Sequence, residues 1–358
     1  MSRPARALLD GGALKHNFQQ ARLHAKSSRV MAVVKANGYG HGLAWVAHTL
    51  GESADAFGVS SVEEGMQLRE AGVTQPVCLL EGFFSTDELS LLSREQLEPV
   101  IHHAGQVEAL AAASENLKLT VWLKVDTGMH RLGFLPAAAP DVLKQLRAAP
   151  AVANIRLMSH FARAEFPKDP ATQKQIDDFL DFGRNLGVEM SLANSAGIFS
   201  WPTSHLDWVR PGIMLYGGSP VASRDATSIG LKPVMTLETA LIAVQPRKKG
   251  DPIGYGGDWQ CPADMPVGVA AIGYGDGYPR HAPPGTPVLV NGRRVPTVGR
   301  VSMDMITLDL RSQANARVGD PVRLWGQGLP LEEVAECAGT ISYELLCHVT
   351  ERIPRIAV

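Results

Sequence analysis

The feature that most constrains this chain is an alternation. Over the first two-thirds, short apolar or β-branched runs recur, each followed by an amphipathic stretch with helix-end signals. The runs cover 29–35, 55–60, 76–80, 98–102, 119–125, 154–160, 189–193 and 206–210. Helix candidates at 61–71, after Ser60, and at 172–186, before Gly187, have polar starts, and the second has a glycine stop. Eight strands separated by helices are what a closed (β/α)8 barrel needs. An open doubly wound sheet is the alternative, and the count favours the barrel.

After about residue 232 the texture changes. Strands with turn signals dominate, at 234–245, 267–275, 287–299, 304–310 and 321–326, with one helix near 330–337. Asn291-Gly292 between two apolar runs marks a two-residue hairpin turn. The expectation is an α/β chain of two parts: a (β/α)8 barrel over 1–232 and a mainly β domain over 233–358. No repeat, low-complexity segment or long linker separates them, so they should pack directly on each other.

Composition narrows the function classes. A net charge of −2 gives no bulk electrostatic case for nucleic acid or an anionic membrane. The cysteines, at 78, 261, 337 and 347, form no C-x-x-C pair and no zinc-spaced cluster with histidine. They read as reduced, mostly buried thiols, and no metal is expected. No run of 18 apolar residues exists, and the N-terminus lacks the apolar core of a signal peptide. The cytoplasm is the expected compartment.

Active sites of such barrels lie at the carboxyl ends of the strands. The polar residues there are Lys35 and Tyr39, Lys124 and Arg131, His160, Asn194 and Ser195, and Arg210 followed by Gly212 and Ile213. Lys35, in "VVKANGYGHG", directly follows an apolar run. A lysine so placed serves in a buried ion pair, forms a Schiff base, or snorkels out of the barrel mouth. Barrels often hold a phosphate with the loops after strands seven and eight. "NSAG" offers a hydroxyl at a helix amino terminus there, and "RPGI" a glycine that permits close backbone approach. A lysine plus a phosphate cradle suggests pyridoxal phosphate (PLP). Arg210 would then leave the pyridine nitrogen unprotonated, since arginine only donates; a structural salt bridge at the domain seam is the other reading. Tyr255, Tyr274 and Tyr343 sit in or near glycine-rich turns. "GYGDG" lacks both the spacing and the βαβ context of a nucleotide loop.

The blocks "AVVKANGYGHG", "LKVDTGMHRLGF", "SHFARA", "ANSAG", "VRPGIMLYG", "GYGG", "GYGDGYPR", "GRVSMDM" and "GTISYEL" occur in that order. Together they resemble the bacterial alanine racemases of the PLP-dependent barrel class, over nearly the whole chain. The first block alone is less specific, because related barrel decarboxylases carry a similar lysine. Ser159 stands where the family often has threonine, and Ser302 where cysteine is common.

The resemblance implies that Lys35 carries PLP as an internal aldimine and then acts as one base. Tyr255, contributed by the other subunit of a homodimer, would be the base on the opposite face. Arg131 would bind near the substrate carboxylate, and Met303, from the partner chain, would offer it a backbone N–H. Lys124 matches a lysine that is often N-carboxylated, which would hold Arg131. His160 would link Tyr255 to Arg210, and Arg210 would contact the pyridine nitrogen. Tyr39, Ser195, Gly212, Ile213 and Tyr343 would hold the phosphate, with Asn194 beside them. Tyr274, Arg280, Arg300 and Asp304 match positions lining the substrate access channel. The implied reaction interconverts L- and D-alanine. A racemase of wider range, a barrel PLP decarboxylase and a non-catalytic PLP carrier are the alternatives.

Overall fold

The computed structural model describes residues 3–358. Eight parallel strands close into a barrel: β2 (Arg29–Val33), β3 (Ala56–Val59), β4 (Val77–Leu79), β5 (Leu97–Ile101), β6 (Leu119–Lys124), β7 (Val152–Met158), β8 (Met190–Asn194) and β9 (Trp208–Arg210). Every expected run becomes one of these strands. The open doubly wound sheet is excluded, because β2 pairs with β9 as well as with β3. Ends differ from the expected runs where the backbone turns. Leu206 has φ of 43°, so the chain is still bending there and β9 begins only at Trp208. At the other end, β2 stops at Val33, and Lys35 lies beyond the strand rather than on it.

Alternate strand residues face opposite sides, which splits the core in two. Met31, Ala56, Cys78, Val100, Trp122, Met158 and Trp208 form a separate buried cluster within the ring of strands. Their strand neighbours pack outward against the helices, such as Val62–Glu70 and Pro170–Gly183. Near the amino ends of the strands a polar floor is laid. Trp122 Nε1 donates to Glu98 at 2.8 Å, and Arg156 donates to Glu98 at 2.5 Å and to Glu189 at 2.7 Å. The Arg156 guanidinium also lies 5.2 Å and 5.3 Å from the ring centroids of Trp122 and Trp208.

The second part is mainly β. Its strands are β10 (Met235–Arg247), β11 (Pro252–Ile253), β12 (Trp259–Gln260), β13 (Met265–Ala270), β14 (Pro287–Val290), β15 (Arg293–Val298), β16 (Ile306–Asp309), β17 (Pro321–Trp325) and β18 (Arg355–Ala357). Asn291 and Gly292 both take positive φ, 50° and 76°, as the turn between β14 and β15 requires. Four strands were not foreseen: the short β11 and β12, β18, and one near the start of the chain. β1 (Arg6–Leu9) joins this sheet, antiparallel to β10 and parallel to β18. The chain therefore runs from the second part's sheet into the barrel and back again. Helix Leu331–Cys337 matches the one expected; helix Ser342–Cys347 was not anticipated and sets Tyr343 against the barrel mouth.

No described helix is long and apolar enough to cross a membrane. Among the described residues no group of three or more His, Cys, Asp or Glu side chains could hold a metal ion. All four cysteines are free, but only Cys78 and Cys261 are buried; Cys337 and Cys347 are exposed, against the expectation of mostly buried thiols.

Candidate active site

The segment after β2 is a left-handed turn. Ala36, Asn37, Gly38 and Tyr39 have φ of 52°, 54°, 61° and 50°. Left-handed backbone costs an L-residue about 1–2 kcal/mol, and asparagine and glycine tolerate it best. The rest is offset by hydrogen bonds. Gly38 N donates to Val34 O (2.8 Å), Gly42 N to Asn37 O (2.8 Å), and Ala36 N to the Glu64 carboxylate (2.7 Å). Asn37 Oδ1 accepts from Leu43 N at 2.9 Å, starting the helix Leu43–Leu50. Gly40 admits no side chain, because a Cβ there would stand 2.1 Å from Leu346 O. The turn ends the strand abruptly and leaves Lys35 and Tyr39 at one barrel mouth.

Here lies a cavity of about 360 Å³. It brings together Lys35, Tyr39, Lys124, Arg131, His160, Asn194, Ser195, Arg210, Gly212, Ile213 and Tyr343, every barrel-mouth residue singled out in the sequence, together with Tyr343. One corner is a small cradle. Asn194 Oδ1 caps the helix Ser195–Ser200 by accepting from Gly197 N at 2.9 Å. Ser195 Oγ accepts from Gly212 N at 2.8 Å. A Cβ on Gly212 would stand 2.6 Å from the Tyr39 hydroxyl, so only glycine leaves room for that phenol. Burial raises the Tyr39 pKa far above its ordinary value, which keeps it a neutral donor.

The opposite wall is cationic. Arg210 is 4% exposed and donates to Ser191 Oγ (2.5 Å), Ser159 O (2.6 Å) and His160 Nδ1 (3.3 Å). Among the described residues no carboxylate pairs with it, which removes the structural salt bridge as its role. Burial without an anion lowers its pKa to about 10. Since arginine can only donate, His160 Nδ1 accepts and its proton sits on Nε2. Burial, then Arg210, Lys124, Arg131 and Lys35, hold His160 well below the usual histidine range, so it is neutral. Lys124, 8% exposed, is pushed down to about 8 by burial first and then by Arg210 and Arg131. Lys35 has no ion-pair partner among the described residues, so a buried ion pair does not account for it.

The remaining expected residues lie on the second part and do not line this cavity. Tyr255 is 68% exposed on a turn between β11 and β12, with Gly254 and Gly256 at φ of 75° and 77°. Arg300 pairs with Asp258 beside it. Tyr274 and Met303 are likewise exposed, as is Met305, which the sequence did not single out. Arg280 is exposed, and Asp304 pairs with Arg352 at 2.6 Å. Sequence reasoning missed Glu81, the single carboxylate lining the cavity, as well as Glu64, whose two oxygens tie Ala36 N and Ser60 N. Glu64 stands three positions after Ser61, the residue that precedes helix Val62–Glu70, a capping-box spacing that was available in the sequence.

Relatives share this architecture. Residues 9–220 match the family model "Alanine racemase, N-terminal domain" and residues 234–357 match "Alanine racemase, C-terminal domain". An alanine racemase of Nitrosococcus oceani is 54% identical over 350 residues, covering 98% of each chain. A biosynthetic alanine racemase of Escherichia coli K12 is 50% identical over 351 residues, again with 98% of each chain. The crystal structure of the biosynthetic alanine racemase from Pseudomonas aeruginosa superposes with a TM-score of 0.97 at 46% identity, covering 99% of each. Both parts of the chain, barrel and β domain, thus belong to the alanine racemase family.

Proposed function

We propose that this protein interconverts L- and D-alanine with PLP held in the 360 Å³ cavity, as a homodimer whose sites draw on both chains. One observation carries the reading: Lys35, without an ion-pair partner among the described residues, shares the cavity with a buried Arg210 that has no carboxylate among them. The donor set fits the cofactor. Tyr39, Ser195 and the backbone around Gly212 and Ile213 form the cradle for a phosphate, and Tyr343 closes it. Lys35 would hold the aldehyde, and Arg210 would donate to the pyridine nitrogen. When bound, PLP supplies an aldehyde that condenses with amines and a ring that withdraws electrons from Cα.

The chain's own residues supply binding and proton transfer. The Lys35 amine would hold the cofactor and, once the substrate's amine has displaced it, would take up or return the Cα proton on its face. Tyr255 of the partner subunit would return or take up the proton on the opposite face, so the substrate need not turn over. Arg131 binds the alanine carboxylate, aided by the backbone N–H at Met303 of the partner subunit. Arg210 donates and never accepts, so it would leave the ring nitrogen unprotonated. Neutral His160, bonded to Arg210, offers its Nε2–H toward the phenol of Tyr255 of the partner subunit. Lys124 near pKa 8 holds a large neutral fraction, as carboxylation by CO2 needs, and a carbamate there would neutralise Arg131. The exposed Tyr255, Tyr274, Met303 and Met305 support an interface on the β domain, with Arg280, Arg300 and Asp304 along the access channel.

A decarboxylase of this fold would need a carboxylate at the ring nitrogen, which Arg210 disfavours. A bare PLP carrier would not need residues 233–358. The test is chiral analysis of L-alanine incubated with PLP-loaded protein, beside L-lysine and L-arginine. D-alanine should accumulate to equal amounts, with little change in the basic amino acids. Absence of D-alanine, despite bound PLP, refutes the reading.

A further inference from the structure

A left-handed turn of four residues needs something to hold it, and the grip comes from beneath. His41 is 0% exposed. Its Nδ1 lies 2.9 Å from Tyr39 O and 3.1 Å from Gly38 O. Carbonyls only accept, so Nδ1 must carry a proton. Nε2 is buried and has no hydrogen-bond partner among the described residues. A charged ring would bury an unpaired N–H at that nitrogen, whereas a neutral ring leaves a bare lone pair, the cheaper arrangement.

The ring also belongs to a stack. Its centroid lies 4.7 Å from that of Tyr216, and Tyr216 lies 4.6 Å from Tyr39. The Tyr216 hydroxyl donates to Val33 O at 3.0 Å, at the last residue of β2. From the second part, Arg355 Nε donates to Gly40 O at 2.7 Å. Burial holds the His41 pKa down to about 4, with the Arg355 charge adding a smaller push.

We propose that His41 is a positioning residue for this site: its ring, protonated at Nδ1 and bare at Nε2, clamps Gly38 O and Tyr39 O and so holds the left-handed turn that aims Lys35 and Tyr39 into the cavity. What the turn serves rests on the function proposed above; the tautomer does not. If the ring only filled space, leucine would replace it. If donation from Nδ1 matters, asparagine should substitute, because its amide nitrogen falls near the Nδ1 position. Glutamine, which reaches the Nε2 position, should not.

The experiment measures PLP affinity of the apo forms and alanine kcat and KM of the loaded forms for His41→Asn, His41→Gln and His41→Leu. Asparagine should keep PLP affinity and kcat within about threefold of wild type, while leucine and glutamine lose about tenfold or more of each. Leucine equal to wild type, or asparagine as impaired as leucine, overturns the proposal. Should the leucine variant fail to fold, the asparagine–glutamine contrast still decides. Nitrogen-15 NMR of histidine-labelled holoenzyme gives a second reading in the native protein, with His41→Asn used for assignment. A His41 proton on Nε2 overturns the proposal. A wild-type protein that turns over no alanine would sink the function and leave the tautomer standing; the wrong tautomer does the reverse.

Discussion

Lys124→Met should stabilise this protein in CO2-free buffer. Methionine keeps most of the apolar stem and removes an amine that the fold places, 8% exposed, among Arg210, Arg131 and Lys35. The lowering of its pKa from 10.5 to about 8 corresponds to roughly 3 kcal/mol at ~1.4 kcal/mol per pH unit, an upper figure. The sign follows from linkage. The unfolded chain binds the proton more tightly than the folded one, so folding bears the full penalty below pH 8. The penalty fades as pH rises from 8 towards 10.5, and above that the amine is neutral in both states. Urea denaturation of wild type and variant at fixed protein concentration should therefore show the variant ahead by ~2–3 kcal/mol at pH 7 and by little at pH 10.5. Bicarbonate should reverse the order near neutrality. At pH 7.5 about a quarter of such an amine is neutral, against about one in a thousand for an ordinary lysine, and its carbamate would pair with the neighbouring cations. A variant that is less stable than wild type in CO2-free buffer at pH 7 refutes the reasoning.

Three further outcomes are expected. Gly212→Ala places a Cβ 2.6 Å from the Tyr39 hydroxyl and should weaken PLP binding about tenfold by equilibrium dialysis with little change in apoprotein melting; unchanged affinity would remove Tyr39 from the phosphate cradle. Glu98→Ala leaves Trp122 Nε1 and one arm of Arg156 unpartnered in the barrel floor and should cost ~3 kcal/mol in urea denaturation while KM stays constant; a loss below ~1 kcal/mol would show that the floor contributes little. Tyr255→Phe should abolish racemisation while one enantiomer alone keeps exchanging its Cα hydrogen in D2O through Lys35. NMR follows the exchange, and equal exchange from both enantiomers contradicts the opposite-face assignment.

Much of the barrel was legible because each strand is a short apolar run, and helices such as Val62–Glu70 and Pro170–Gly183 start at polar residues. Local signals also placed the Asn291-Gly292 hairpin and helix Leu331–Cys337. What escaped the sequence is non-local. β1 is four residues long, and its partner β10 starts more than 200 positions later, so no periodicity marks it. The same holds for Arg355, whose guanidinium reaches Gly40 O across 315 positions. Lys35 was found because its charge is out of place after an apolar run. Its left-handed turn was not, since "KANGY" reads equally as an ordinary loop, and only Asn37 and Gly38 favour such backbone. Roles for Tyr255 and Met303 came through family resemblance, and within one chain both stand apart from the cavity.

The central claim is a racemase site assembled from two chains, with Lys35 from one and Tyr255 from the other. Its most direct test is to mix two variants, Lys35→Ala and Tyr255→Ala, each inactive alone, and let the dimers exchange. Random reassortment makes half the dimers mixed, and each mixed dimer holds one site with both residues intact and one with neither. D-alanine formation from L-alanine should then recover to about a quarter of the wild-type rate per chain. Activity no higher than that of the separate variants, in a sample shown to contain mixed dimers, would contradict the account.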